Sequence, residues 1–453
     1  MGLLPSGLIS PISGNMFVPA IPTLSTAFST SEANITLTVT VFLIFQAVTP
    51  SLFGAMSDTY GRRPIYISTL GLYLGSNIGL ALCPTNSYWL LLLLRALQAT
   101  GGSAVITIGY GCVADIAAPE ERGKFLSFFM IGAMLGPALG PLLGGIFAST
   151  LGWRAMFWFL TITAGVILVP LILFLPETLR TLVGNGSYLP PTYTKPPIDL
   201  GPKNRVPRPV DLPRMRFRPF STFLILVVPE ISVTFLVASL MFVEYYTILT
   251  VLSTVLKDPY GLSPIKIGIC YLPIGFGTGI CSFFTGRLLD YRFSIEMRRV
   301  GGDYESRPDT FDIEAARLNC MWPSVATTIL VPIALGWFLE KRLNLAIPLI
   351  TTFILGLGNG AVLVATVYGQ HLLPDKTGGM SASLNLVRCI LGAIGTAVVQ
   401  QMYDALGAGW TCIVLSGIST LGIPMLLLVK KRGRKWREKQ ERKLNPVTPS
   451  PDP

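Results

Sequence analysis

Four ionisable side chains interrupt long apolar stretches of this sequence: Arg95, Arg388, Glu230 and Glu244. A guanidinium in apolar surroundings is costly unless it is paired or reaches water, so its default role there is functional. Arg388 stands beside Asn385 near the middle of its stretch and needs a counter-charge or an anionic ligand. Two assignments stay open. Arg388 holds the carboxylate of a bound molecule, or, where that molecule is neutral or cationic, it pairs with Glu244 or a backbone group. Glu230 and Glu244 are fourteen residues apart, about four helical turns, so both project from a similar face. A carboxyl whose access to water changes can take up and release a proton. Glu244 is the deeper of the two, expected in the outer half of a bilayer, and is the first candidate proton carrier, with Glu230 second. Gln98 and Tyr245 join Arg388 and Asn385 as candidate ligands for a small molecule. Gln46, Tyr246, Asn359, Tyr368 and Gln370 are further polar groups in apolar stretches. His371, the only histidine, is expected to be a solvated loop residue.

The stretches that must position these groups follow from composition. Of 453 residues, 51% are hydrophobic and 13% are charged, where a soluble domain carries about 25% charged residues. Mean hydropathy is +0.58. Too few charges remain to cover a water-soluble surface. A cytosolic enzyme, a disordered scaffold and a nucleic-acid-binding domain are excluded despite the net charge of +11. The seven cysteines fall mostly within apolar runs without paired spacing, so neither a disulfide framework nor a metal site is indicated.

An apolar run of about 20 residues crosses a bilayer as a helix. Twelve such runs are read, at roughly 3–24, 35–56, 64–83, 89–114, 124–148, 154–175, 222–252, 265–286, 319–338, 345–369, 379–402 and 409–429. The expected fold is an all-α membrane protein of two six-helix halves, 1–176 and 220–430. A Pro-rich basic linker, 177–219, joins them, and 431–453 forms a basic tail. With both termini in the cytosol, 28 of the 35 lysines and arginines lie on the cytosolic side, which sets the orientation. The first run is weak. It carries Pro5, Pro11, Pro19 and Pro22, and it is expected to lack its cytosolic turns or to reflect an incomplete gene start, with a short kinked helix as the plainer alternative.

Motifs repeat between the halves. Gly54, Asp58, Gly61, Arg62 and Arg63 form a G-x-x-x-D-x-x-G-R-R segment closing the second run, and Gly286, Asp290 and Arg292 close the eighth in a similar pattern. Arg62 and Arg63 are expected to pair with Asp115. Gly132, Gly136, Gly140, Gly144 and Gly145, with Pro137 and Pro141, place small and bending residues along the fifth run, read as one helix face. Arg95, Gln98, Gly101, Gly102 and Ala104 form a further pattern in the fourth run, and Pro176, Glu177 and Thr178 close the sixth.

Together these motifs resemble the major facilitator superfamily, in its twelve-span drug:proton antiporter branch. Phe311–Arg317 and Asn385–Cys389 resemble the fungal quinidine-resistance and citrate-exporter-like subgroup. The resemblance implies two halves that rock about a central cavity. It implies that the Asp58 loop bridges to the other half and that Arg95 works in proton coupling, against the plainer role of a partner for carbonyls or Gln98. It implies a close-packed hinge at the fifth-run glycines. The expected function is export of a drug, a toxic or secondary metabolite or an organic acid from the cytosol by proton antiport, with a uniporter as the alternative. The expected partners are the small-molecule substrate, protons and the lipid bilayer. No cofactor, no metal and no nucleic acid is expected. The protein is expected to act as a monomer in the plasma membrane. Without any catalytic constellation an enzyme is disfavoured, and without a long signalling domain so is a transporter-like sensor.

Overall fold

A computed structural model describes residues 6–116, 136, 139–184, 186–198, 205–207, 221–257, 260–301, 311–373 and 377–444. Among these, the elements are helical, and one isolated bridge, Tyr188 to Val206, lies within the linker.

Eight helices among the described residues are both long and apolar enough to cross a membrane. The other crossings fall outside that set for local reasons. Prolines break the first into α1 (Ser6–Met16), a 3-10 turn (Val18–Ala20) and α2 (Ile21–Ala27). The second is α3 (Glu32–Tyr60). The third, α4 (Arg62–Ala81), opens on two arginines. The fourth is α5 (Tyr88–Ile116). The fifth is described as α6 (Leu139–Thr150), and Gly132 and Pro137 lie outside the described residues. The sixth is α7 (Trp153–Phe174), followed by the short α8 (Arg180–Val183). The eleventh and twelfth crossings run together as α17 (Thr377–Thr420), parted only at Gly407, whose φ of 77° no helix accommodates. The Glu340 carboxylate accepts from the Ala408 and Gly409 amides there, at 2.7 and 3.3 Å. The turn between two membrane crossings is thereby capped without a loop.

The second half begins with α9 (Ser221–Ile225) and α10 (Pro229–Lys257), the seventh crossing. The eighth is α11 (Pro264–Cys270) and α12 (Leu272–Val300). The ninth is α13 (Ile313–Leu318) and α14 (Trp322–Glu340). The tenth is α15 (Ala346–Leu357) and α16 (Ala361–Leu372), broken at Gly358–Gly360. The twelfth continues as α18 (Gly422–Leu444). Two boundaries differ from the sequence expectation. Helix α12 runs fourteen residues past 286, to Val300, because Arg292, Glu296, Arg298 and Arg299 are good helix formers that continue it beyond the apolar run. The basic tail is helical as far as Leu444, and it is held by Lys430 on Asn319 (2.7 Å) and by Arg437 on Glu314 (3.1 Å).

Each half packs on itself: α4 on α5 and α7, α10 on α17, α14 on α17, and α12 on α15. Between halves the principal seam is α3 against α17, where Thr40 and Thr396 share a hydrogen bond of 3.0 Å. At the end away from Arg62 the halves are shut. Lys257 meets Glu32 at 3.5 Å, Thr254 donates to the same carboxylate at 2.5 Å, and the first-crossing turn Val18–Ala20 packs on α10 and α11. Gly145 also lies against Gly268, so close that a Cβ at Gly145 would come within 2.9 Å of the Gly268 Cα.

Candidate transport site

The loop between the second and third crossings is built around a carboxylate. Gly61 has φ of 111°, a conformation only glycine takes freely, and a Cβ there would lie 2.5 Å from Glu177 Oε2. Glu177, directly after α7 and 5% exposed, accepts from the amides of Arg62 (2.9 Å), Arg63 (3.3 Å), Thr178 (2.9 Å) and Leu179 (3.0 Å). An anion at a helix N-terminus satisfies orphan amides and opposes the helix dipole. The arginines divide the remaining work. Arg62 meets Asp58 at 2.5 Å and Asp115 at 3.0 Å. Arg63 turns away from Asp115 and donates to the carbonyls of Leu175 (2.9 Å) and Ile172 (2.6 Å). Burial pushes the Asp115 carboxyl up, and the Arg62 guanidinium pulls against that shift. Asp58 is half exposed, and among the described residues it has no partner from the second half.

The second-half repeat is not a second copy of this loop. Gly286 lies inside α12 with open space where a Cβ would be, so neither a turn nor a close approach requires it. Asp290 is exposed on the same helix, within electrostatic reach of Arg317. Arg317 donates to the Leu289 carbonyl (3.0 Å), meets His371 Nε2 (3.1 Å) and lies over the Phe293 ring (4.3 Å). His371 is therefore no solvated loop residue. Its Nδ1 lies 2.9 Å from the Val367 carbonyl and its ring packs on Phe293.

The fifth-crossing glycines serve two neighbours. At Gly136, Gly140 and Gly144 a Cβ would strike Pro11, Asn15 and the Met16 carbonyl, so these three admit the first crossing. Gly145, one position on, is turned about 100° around the helix and faces the other half at Gly268. The four described glycines thus do not share one face. The Pro141 carbonyl also faces Gly268.

Arg95 is fully buried. Its Nη1 donates to Gln98 Oε1 (2.5 Å), Gln98 donates to Asn77 Oδ1 (2.7 Å), and Asn77 donates to the Tyr73 carbonyl (2.7 Å). The guanidinium lies over Phe17 (4.3 Å) and Phe42 (4.5 Å), a cation–π cage from the first two crossings. Gln98 is therefore spent on Arg95 and Asn77.

Arg388 is half buried. Its Nε and Nη2 donate to Asn385 Oδ1 at 3.2 and 2.9 Å, and it sits 5.0 Å from the Phe242 ring centre. The Asn385 amide nitrogen donates across the seam to the Gln46 carbonyl (2.8 Å). Glu244 does not join it. The helix α10 places Glu244 at its middle, 1% exposed, where Ser416 donates to its Oε1 at 2.7 Å and Ser419 lies alongside. No donor is directed at Oε2 among the described residues. Glu244 thus faces the twelfth crossing and Arg388 faces the seventh. Glu230 is buried in the first turn of α10, apart from both. Tyr245 is held on Thr278 of the eighth crossing (3.3 Å), inside its own half. It is the next residue, Tyr246, that turns to the seam, stacked on Phe242 at 5.5 Å.

Sequence reasoning overlooked Phe17, Phe42, Asn77, Phe242, Ser416 and the anchoring role of Glu177. The four-residue spacing of Phe242 and Tyr246 was the one available signal, since it stacks side chains along a helix.

Broken helices, two packed halves and cations held among apolar helices are the build of a multi-pass membrane protein. The Major Facilitator Superfamily pattern matches residues 3–396, and the chain belongs to that family. Its relatives are fungal transporters. It is 33% identical over 438 residues to the MFS-type transporter R5 of Phoma sp., covering 95% of this chain and 83% of that one. It is 34% identical over 459 residues to Citrate exporter 1 of Aspergillus niger, covering 97% and 86%. Among solved structures, the xylose transporter XylE of E. coli, in a partially occluded inward open conformation, superposes with a TM-score of 0.65 at 14% identity, covering 95% and 96%. A bacterial homolog of the lysosomal transporter Spinster, inward-facing and unoccupied, superposes with a TM-score of 0.64 at 14% identity, covering 96% and 97%. Both share the fold.

Proposed function

We propose that the protein exports a small organic acid from the cytosol, with Arg388 holding a cargo carboxylate. The observation that carries this reading is the separation of Arg388 from Glu244. Arg388 has no carboxylate partner among the described residues, and its guanidinium is oriented by a neutral amide and an aromatic ring. A cation held that way in a membrane is a site for an anion that comes and goes. A cargo that is neutral or cationic would call for an internal counter-charge, and Glu244 is committed to Ser416 instead. The relative named a citrate exporter supports the same cargo class.

The cycle is alternating access between two halves, with proton entry driving the return and Glu244 as the carrier. Among the described residues Glu244 has the Ser416 hydroxyl as a donor and no cation, so its carboxyl can change protonation without breaking an ion pair. Export further requires differing affinities for acid and proton in the two end states. The bias of lysines and arginines supports an orientation with the loop end and both termini in the cytosol, and this reading takes the plasma membrane as the site and a monomer as the working unit. The Arg62–Asp115–Glu177 assembly and the fifth-crossing glycines act as gate and hinge. A yeast strain lacking its own efflux pumps, expressing this chain and loaded with weak acids and cationic drugs in parallel, tests the reading. Acid-selective efflux is expected. Efflux of cations alone would overturn it.

A further inference from the structure

The tenth crossing is cut in two at Gly358–Gly360, and its second piece is held at both ends. Helix α16 starts directly after Gly360, where a Cβ would come within 2.6 Å of the Thr285 hydroxyl and 3.0 Å of the Ser324 hydroxyl, so α12 and α14 close on its start. At its other end the hold is polar. Arg317 of α13 brings Nη2 to 3.1 Å from His371 Nε2, while His371 Nδ1 lies 2.9 Å from the Val367 carbonyl. A guanidinium has donors only, and a carbonyl only accepts. One species fits both partners: a neutral imidazole with its proton on Nδ1 and its lone pair on Nε2, toward Arg317. A second proton would go to Nε2, set donor against donor and bring two cations to 3.1 Å. Arg317 would not follow the ring. It keeps the Leu289 carbonyl at 3.0 Å and the Phe293 ring at 4.3 Å, both on α12. What loses its hold is α16. Of the charged groups described on the packed elements, Arg317 acts on the ring itself. Asp290 and Arg292 of α12 act on Arg317 and Cys320, Glu314 of α13 is paired with Arg437 of α18 at 3.1 Å, and Glu230 sits in the first turn of α10.

We propose that His371 and Arg317 form a proton-released clamp on the half-helix α16. With His371 neutral, α16 is pinned to α12 and α13. With His371 protonated, α16 is free to move about the break at Gly358–Gly360. Histidine is the side chain whose charge ordinarily changes between about pH 5 and 8. In the orientation proposed above this end of α16 is cytosolic, so acid in the cytosol releases the half-helix.

Hydrogen–deuterium exchange of the purified full chain, read on peptides covering 361–373, reports the opening of α16. The native chain, His371→Gln and Arg317→Met are compared at matched pH, from about 7.5 down to about 5, the range in which histidine titrates. Comparison at the same pH cancels the intrinsic pH dependence of exchange. Glutamine offers Arg317 an amide oxygen at every pH. The native chain is expected to exchange like His371→Gln at the top of the series and about tenfold faster at the bottom, the scale of one hydrogen bond to a charged group. Arg317→Met is expected to exchange faster than the native chain at the top and to lose the acid step. A native chain that tracks His371→Gln throughout the series would overturn the clamp, and so would an acid step that survives in Arg317→Met. If His371→Gln does not fold, Arg317→Met decides alone. No cargo is present, so the outcome is separate from that of the export reading.

Discussion

Asn385 joins Arg388 to the opposite half of the protein. Its amide oxygen takes the guanidinium at 2.9 Å, and its amide nitrogen donates to the Gln46 carbonyl at 2.8 Å. The residue that orients the candidate cargo cation is thus also a rivet in the α3–α17 seam. Any rearrangement of that seam must change how Arg388 is presented.

Removing this orientation should weaken cargo binding more than it slows turnover. Asn385→Ala is expected to raise the KM for an organic acid about tenfold, the scale of a charge-assisted hydrogen bond, with a smaller change in maximal rate. Initial-rate uptake into inverted vesicles measures both. An equal fall in rate with unchanged KM would place Asn385 in the seam alone.

The Glu177 carboxylate is an anchor for stability rather than a ligand. Glu177→Ala strips four amides of their acceptor, those of Arg62 and Arg63 at the start of α4 and those of Thr178 and Leu179 beside it. The expected loss is about 1–3 kcal/mol, read as a lower Tm of the detergent-solubilised protein. Glu177→Gln should lose less, because one amide oxygen remains. A Tm unchanged in both variants would remove Glu177 from that role.

The glycines divide into those that admit a neighbour and those that do not. A methyl at Gly144 would strike the Met16 carbonyl, and one at Gly101 would lie 2.6 Å from the Thr69 carbonyl. Gly71 and Gly75 have open space at the same position. Gly144→Ala is expected to reduce folded yield sharply. Gly71→Ala should leave it unchanged or raise it slightly, since alanine favours helix by about 1 kcal/mol. Fluorescence-detected size-exclusion profiles of the two variants make the comparison, and equal profiles would contradict the packing assignment.

Proton coupling is expected to depend on Glu244 and its serines. Glu244→Gln keeps the size and a Ser416 partner but cannot exchange a proton. It should abolish the stimulation of export by an imposed pH gradient while leaving counterflow of cargo against cargo intact. Ser416→Ala is expected to shift the pH profile without abolishing it. Full stimulation in Glu244→Gln would move the coupling elsewhere.

Most crossings were legible because bilayer spans announce themselves by length and hydropathy, whereas the proline-broken first run was weak. Arg95, Arg388 and Glu244 were legible because charge inside an apolar run is rare. What the charges face was not legible. Glu244 and Arg388 invited pairing on paper, yet helix rotation turns one to Ser416 and the other to Phe242. Tyr245 and Tyr246 are adjacent in sequence, and only rotation decides that the second meets the seam. The Gly286 segment matched the Gly54 segment by letter, but the residues after it continue the helix where Gly61 ends one. The capping by Glu177 is a contact across more than a hundred residues, beyond any local pattern.

Arg388 is proposed to hold the carboxylate of the cargo. Counterflow of a radiolabelled organic acid in proteoliposomes, comparing the unmodified chain with Arg388→Ala and Arg388→Lys, tests it most directly. The expected result is acid exchange by the unmodified chain, loss of at least about tenfold in Arg388→Ala, and partial retention in Arg388→Lys, which keeps the charge without the planar fork. Acid exchange undiminished in Arg388→Ala would contradict it.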